Sequence, residues 1–243
     1  MTAVAVTDLG VRARDLADMT NSSFINDAEL LRYINSAYRT WYDLVVSAFE
    51  DYYVSANPYQ FTVGSDGLFD YNGVLTGSNQ IYKIAGVDKS GQGSSDSYFP
   101  LKPTSWRHRN SSNSMWSLWD RQPAVTYRIF KNQIRFTPQS SAAGNYQIWY
   151  VPVAPQLVYD TPVADVSVSS IDAYNGLENL LIVDVAIKML AKEESDVQFL
   201  VMERERYETK MKEMLVDRDI GSPQKIEDSQ SPTWSEAGWG GWW

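Results

Sequence analysis

The chain of 243 residues contains no cysteine and one histidine, His108. Without thiols there is no disulfide, no thiolate metal site and no cysteine nucleophile. A single imidazole also falls short of the two or three histidines on which most zinc sites are built. Positive charge is scarce: 21 Lys and Arg stand against 30 Asp and Glu, for a net charge of −9. The chain therefore lacks the broad cationic face with which a sequence-general nucleic-acid binder displaces counterions from phosphates. No apolar run reaches the ~20 residues of a membrane span, and Met1 to Gly10 has no cationic segment leading into an apolar one. These absences predict a protein with no membrane attachment, made in the cytoplasm and indifferent to redox conditions. What is present, 44% hydrophobic and 21% charged residues, is an ordinary globular composition. The length allows one large domain or two small ones with a sizeable core.

Periodicity divides the chain into three parts and a tail. Val11 to Ser55 reads as helix. A short helix around Val11 to Met19 ends at the turn Thr20-Asn21-Ser22-Ser23, and Asn26 with Glu29 resembles a capping box. Leu30, Ile34, Ala37, Trp41, Leu44 and Ala48 then recur at steps of four and three along one face. Asn57-Pro58 closes the stretch, because the residue before proline is pushed out of helical geometry. From Tyr59 to about Ser170 the period changes to two, in Tyr59, Phe61, Val63; Val125, Tyr127, Ile129; Ile134, Phe136; and Tyr146, Ile148, Tyr150. Turns rich in Gly, Asn and Asp separate these runs, at Ser65-Asp66-Gly67, Tyr71-Asn72-Gly73, Lys131-Asn132 and Ala143-Gly144-Asn145. Such spacing predicts an antiparallel sandwich or small barrel.

Helix returns between about Asp172 and Ile220. Leu177, Leu181, Val185 and Met189 mark one face; Ser195 with Gln198 offers a second capping box, so the helix breaks near Glu194 and another begins. Glu208 precedes Lys212 by one turn in the favourable order, and Gly221 with Pro223 is a stop signal. The expected fold is α+β: a bundle of N- and C-terminal helices (1–58 and 171–221), an inserted antiparallel β-sandwich or small barrel (59–170), and an extended tail (222–243).

No motif carries catalysis. His108 lies between Arg107 and Arg109, cations that disfavour the imidazolium a general base must become. Gly91-Gln92-Gly93 lacks the third glycine of a dinucleotide fingerprint. Glu193 and Glu194 are adjacent on a helix and point apart, and Asp66, Asp70 and Asp88 lack calcium-loop spacing. The expectation is a non-enzyme without metal or cofactor. Two aromatic groups invite binding instead. Trp234, Trp239, Trp242 and Trp243 crowd the tail, where a Gly-rich strand cannot bury them against itself. Either they anchor a docking peptide in a partner's pockets, or the tail folds back on its own domain. Trp106, Arg107, Arg109, Trp116, Trp119 and Arg121 form the second group. Aromatics interleaved with arginine suit a protein-contact loop or stacking on sugars or bases, and serve equally as an intradomain cover.

Several segments together resemble the head-to-tail adaptor (connector) proteins of tailed bacteriophages. Asp27-Ala28-Glu29-Leu30, Tyr33-Ile34-Asn35 and Ala37, leading into Trp41-Tyr42-Asp43-Leu44, are similar to the first long helix of that family. Tyr82-Lys83-Ile84-Ala85-Gly86-Val87-Asp88 is similar to an early β segment. Asp184, Ala186 and Ile187, then Lys192-Glu193-Glu194-Ser195-Asp196 and Arg218-Asp219, are similar to its C-terminal helical pair. The likeness runs from about Val11 to Asp228, and the Trp-rich end departs from it. The resemblance implies a virion protein at the capsid neck, forming a ring with copies of itself, commonly dodecameric, under the portal protein. It further implies helices around a channel through which packaged DNA passes without specific binding. The β insertion, with Trp106, Arg107, Arg109, Trp116, Trp119 and Arg121, then faces a tail or nozzle protein, and the extension bearing Trp234, Trp239, Trp242 and Trp243 docks on the portal. A carbohydrate-binding β module on helical supports, suggested by Trp106, Trp116 and Trp119, is the alternative, followed by a neck-associated cell-wall hydrolase.

Overall fold

The computed structural model describes residues 2–20, 24–72, 80–91, 97–105, 125–159, 167–173 and 176–216. Asn26 has extended backbone (φ −74°, ψ 163°) and its side-chain oxygen accepts the Glu29 N–H at 2.8 Å. This cap satisfies one of the orphan donors at a helix start and opens α2, Asp27–Ala48. Only half of the expected capping box forms. The Glu29 carboxylate turns outward instead, accepting from Lys192 Nζ at 2.7 Å and from the Tyr33 hydroxyl at 2.8 Å. α2 buries Leu30, Ile34, Ala37, Tyr38, Trp41, Tyr42, Val45 and Val46. That stripe is wider than a single seam, because helices from both ends of the chain press on it.

The helix before it is α1, Val6–Leu16, which starts five residues ahead of the expected position. It follows a short strand, β1 (Thr2–Ala5), that pairs antiparallel with β11 (Ser170–Ala173). Four small and β-branched residues show no period of their own, so the strand exists through its partner and not through local pattern. β11 leads into α3, Glu178–Lys192, and a break at residues 193–197 leads into α4, Gln198–Val216. The expected Ser195 cap is replaced by Asp196, which accepts the Gln198 N–H at 2.9 Å, while Ser195 Oγ donates to Glu193. A carboxylate at this place also suits the positive end of the α4 dipole.

The described residues between α2 and α3 are predominantly β. A four-stranded sheet has the order β2-β8-β4-β5, formed by Tyr59–Val63, Gly144–Pro152, Ile81–Ser90 and Tyr98–Pro100. A three-stranded sheet has the order β3-β7-β6, formed by Leu68–Asp70, Gln133–Thr137 and Thr126–Phe130. All pairings in both are antiparallel. A small parallel pair joins β9 (Gln156–Leu157) to β10 (Ser167–Val168). The two main sheets are stitched where the chain after β5 meets β6: Thr104 N–H donates to Tyr127 O at 2.8 Å, and Tyr127 N–H to Lys102 O at 3.3 Å. Turn chemistry follows the expected residues at two places. Gly67 takes φ +64° between β2 and β3, and Lys131 takes φ +53° at the β6–β7 tip. Gly144, expected in a turn, instead opens β8 opposite Val63.

Two hydrophobic clusters result. Phe61, Val63, Val87, Tyr127, Ile134, Phe136, Tyr146, Ile148 and Tyr150 draw on both main sheets. The larger cluster takes Leu9 and Ala13 from α1, the buried stripe of α2, seven residues of α3, and Leu200 and Met211 from α4. Val151, Leu157 and Ile171 join it from the β segment. The helical ends of the chain therefore meet. Trp41 Nε1 donates to Leu177 O at 3.2 Å, and Lys192 pairs with Glu29 at 2.7 Å, so α2 and α3 run antiparallel. The protein is thus mixed α+β, with four α-helices and mainly antiparallel sheets among the described residues.

Candidate interaction surfaces

Trp106, Arg107, Arg109, Trp116, Trp119 and Arg121, His108, and the tail residues Trp234, Trp239, Trp242 and Trp243 all lie outside the described residues. Among the described residues no group of three or more metal-ligating side chains stands close enough to hold an ion, and no helix is long and apolar enough to cross a membrane. The tyrosines have shifted titration for a structural reason. Burial pushes Tyr38, Tyr42 and Tyr53 upward, and raises Tyr146 and Tyr159 to about 12. Burial lowers Lys89, which donates to Ser141 O at 2.6 Å and stands over the Tyr146 ring. These groups pack the interior or its rim, and their shifts follow from desolvation.

Three features of the surface of the described residues bear on binding. The first is an open groove of about 660 Å³ on the outward side of α2, lined by Ala28, Leu31, Arg32, Asn35, Ser36, Arg39 and Gln156. Helical spacing places Ala28, Arg32, Asn35 and Arg39 on one face, beside the buried stripe. Asn35 is committed to the fold: its amide donates to Leu31 O and Leu157 O, and its oxygen accepts the Leu157 N–H at 2.8 Å. Ser36 Oγ likewise accepts from Lys188 at 3.2 Å. The arginines are not committed. Arg32 is near enough to Glu29 to help lower that carboxyl, yet neither Arg32 nor Arg39 has a hydrogen bond or ion pair among the described residues.

The second feature is the corner between α3 and α4. Glu193, Glu194 and Asp196 are all exposed, and Glu194 is left-handed with φ +61°. Directly after them Phe199 and Met202, one helical turn apart, are 71% and 63% exposed. α4 uses only a narrow stripe for packing, through Leu200, Tyr207, Met211 and Met214, so its other faces are open. Within that stripe Asp184 holds Arg204 Nε at 3.0 Å and Lys188 at 2.7 Å, tying α4 to α3.

The third feature is a shallower groove of about 460 Å³ between α1 and α2, lined by Thr7, Gly10, Val11, Arg14, Asp27, Leu30 and Tyr159. The Tyr159 hydroxyl reaches its inner wall and has no hydrogen-bond partner among the described residues. Arg14 is occupied, donating to Ile25 O at 2.8 Å and Asp27 Oδ1 at 3.0 Å.

The two arginines were absent from the residues singled out by sequence; Glu193, Glu194 and Asp196 were named there, Glu193 and Glu194 as adjacent carboxylates that point apart. The seven-residue spacing of Arg32 and Arg39 was readable, but that neither has a hydrogen bond or ion pair among the described residues is a property of the folded surroundings. What these surfaces offer is charge and apolar contact rather than a reacting constellation. No protein-family model matches the chain, and no curated protein matches it either.

Proposed function

We propose that the chain is a structural subunit of a phage head-to-tail adaptor, one copy of a ring that joins portal to tail around the DNA channel. The observation that carries this reading is the shared cluster of α1, α2, α3 and α4, helices from the two ends of the chain. A second cluster belongs to the β segment between them. In this reading the helices form one bundle, and the sheets form a sandwich or small barrel inserted into it, as the family resemblance implies. The excess of carboxylates suits a channel component, since a wall with few free cations offers DNA phosphates little to hold. Open faces on α2 and α4 supply surface for neighbouring copies. The loop with Trp106, Arg107, Arg109, Trp116, Trp119 and Arg121 contacts a tail or nozzle protein, and Trp234, Trp239, Trp242 and Trp243 anchor the chain on the portal. The role is structural and virion-bound, without catalysis.

Co-sedimentation with rings of the portal protein tests the docking. Full-length protein is expected to pellet with the rings, and a chain ending at residue 221 to lose most of that binding. Equal pelleting of both forms would remove the tail from the account. Failure of the full-length chain to pellet at all would remove the portal as partner.

A further inference from the structure

We propose that the acidic corner between α3 and α4 of one copy docks head-to-tail into the arginine-flanked groove of α2 on a second copy, an inference that rests on the ring reading above. Glu194 occupies a left-handed position after a helix end, where glycine is the usual residue because it has no Cβ to strain. Glu193 and Glu194 also stand at the negative end of the α3 dipole, where cations are favoured and carboxylates are not. Both features work against the stability of the isolated subunit. No hydrogen bond or ion pair among the described residues offsets the charge of Glu194. A residue held at local cost on an exposed corner points to a contact outside its own chain.

The groove on α2 has the complementary character. Its charged lining consists of Arg32 and Arg39, in a chain whose net charge is −9. About two helical turns separate them, room for more than one carboxylate between planar guanidiniums that donate to paired oxygens. Ala28 and Leu31 form the apolar part of the lining, matching Phe199 and Met202, which adjoin the carboxylates of the corner. Acidic and apolar elements thus meet cationic and apolar ones. The two patches are different surfaces of one subunit, and their joining is heterologous, the kind of contact that propagates from copy to copy and closes into a ring. Electrostatic complementarity of this type fixes register and partner more than raw affinity.

The absence of native cysteine makes thiol cross-linking clean. Ala28→Cys and Ser195→Cys, at exposed positions that leave Arg32, Arg39, Glu193, Glu194 and Asp196 in place, are introduced singly and together, and each protein is treated with a short bismaleimide and run on a denaturing gel. The double variant is expected to give a ladder of dimers, trimers and larger species, at least tenfold above either single variant. The yield should fall in ~1 M salt, where charge attraction is screened within about 3 Å. A double variant that stops at the dimer overturns head-to-tail docking and contradicts the ring reading as well. A double variant no more cross-linked than the singles, with unchanged melting temperature, overturns the contact itself. If rings still form on the portal under that outcome, the functional reading stands and the neighbours meet elsewhere.

Discussion

At Glu194 the chain accepts a conformation that a glycine would adopt without strain, and a carboxylate where the helix dipole disfavours one. Glu194→Gly is therefore expected to stabilise the isolated chain by about 1 kcal/mol, read as a higher urea midpoint at unchanged slope. Trp41 shows the opposite case. It is 2% exposed and its indole N–H satisfies Leu177 O across the junction of α2 and α3. Trp41→Phe removes that donor and leaves a small void, and should cost about 1–3 kcal/mol in the same measurement. Glu29 links stability to acid. Its hydrogen bond from Lys192, then that from Tyr33, hold its pKa below the ordinary 4.5. The contribution is present above pH 4.5 and is lost as pH falls through the lower folded value. A Lys192→Met variant should accordingly show a flatter decline of melting temperature on acidification below pH 4.5 than the parent. Equal slopes would indicate that the pair is idle. The Asn26 cap was legible because capping is local; the Glu29–Lys192 pair was not, since its partners are 163 positions apart.

Among the elements, β8 does the most to join the two clusters. Tyr146, Ile148 and Tyr150 face the β cluster, while Val151 belongs to the helical one. On the other face Gln147 Nε2 and Trp149 Nε1 both donate to Asp88 on β4, at 2.8 and 2.9 Å. The alternation of Tyr146, Ile148 and Tyr150 along this strand was plain in the sequence. Its depth of burial was not, because that depends on neighbours brought in by β2 and β4. The strand also fixes alkaline behaviour. Tyr146 donates to Ala142 O at 2.6 Å and burial raises it to about 12. A raised phenol favours the folded state fully below its ordinary value of 10, and that stability is lost as pH rises toward 12. Phenolate absorbance in an alkaline titration is expected to rise in two steps, exposed tyrosines near 10 and buried ones only with loss of near-ultraviolet circular dichroism. A single step near 10 with the fold intact would contradict the burial. β1 and β11 mark the limit of pattern reading. Each is four residues long, too short to show a period, and both exist because the chain ends are held together by the helical cluster.

For the molecule as a whole, the order helix, β, helix was readable because periods of 3.6 and 2 leave distinct traces in long segments. That the outer parts close on each other was an inference from that order, and the shared cluster of α1 to α4 now gives it residues. The free surfaces were less legible. Whether an arginine lacks a partner, or an apolar residue lacks a neighbour, is decided by the packing of elements distant in sequence. The exposed Phe199 and Met202 were invisible within a helix whose polar and apolar residues mix on every side. An acidic chain with open faces on α2 and α4, in which Arg32, Arg39 and Glu194 have no ion-pair partner among the described residues, suits the proposed place in a larger assembly. Electron microscopy of the full-length protein mixed with portal rings tests that claim most directly. The account predicts class averages with a second, rotationally symmetric ring seated coaxially on the portal; bare portal rings beside dispersed monomers, at protein concentrations well above those of the portal, would contradict it.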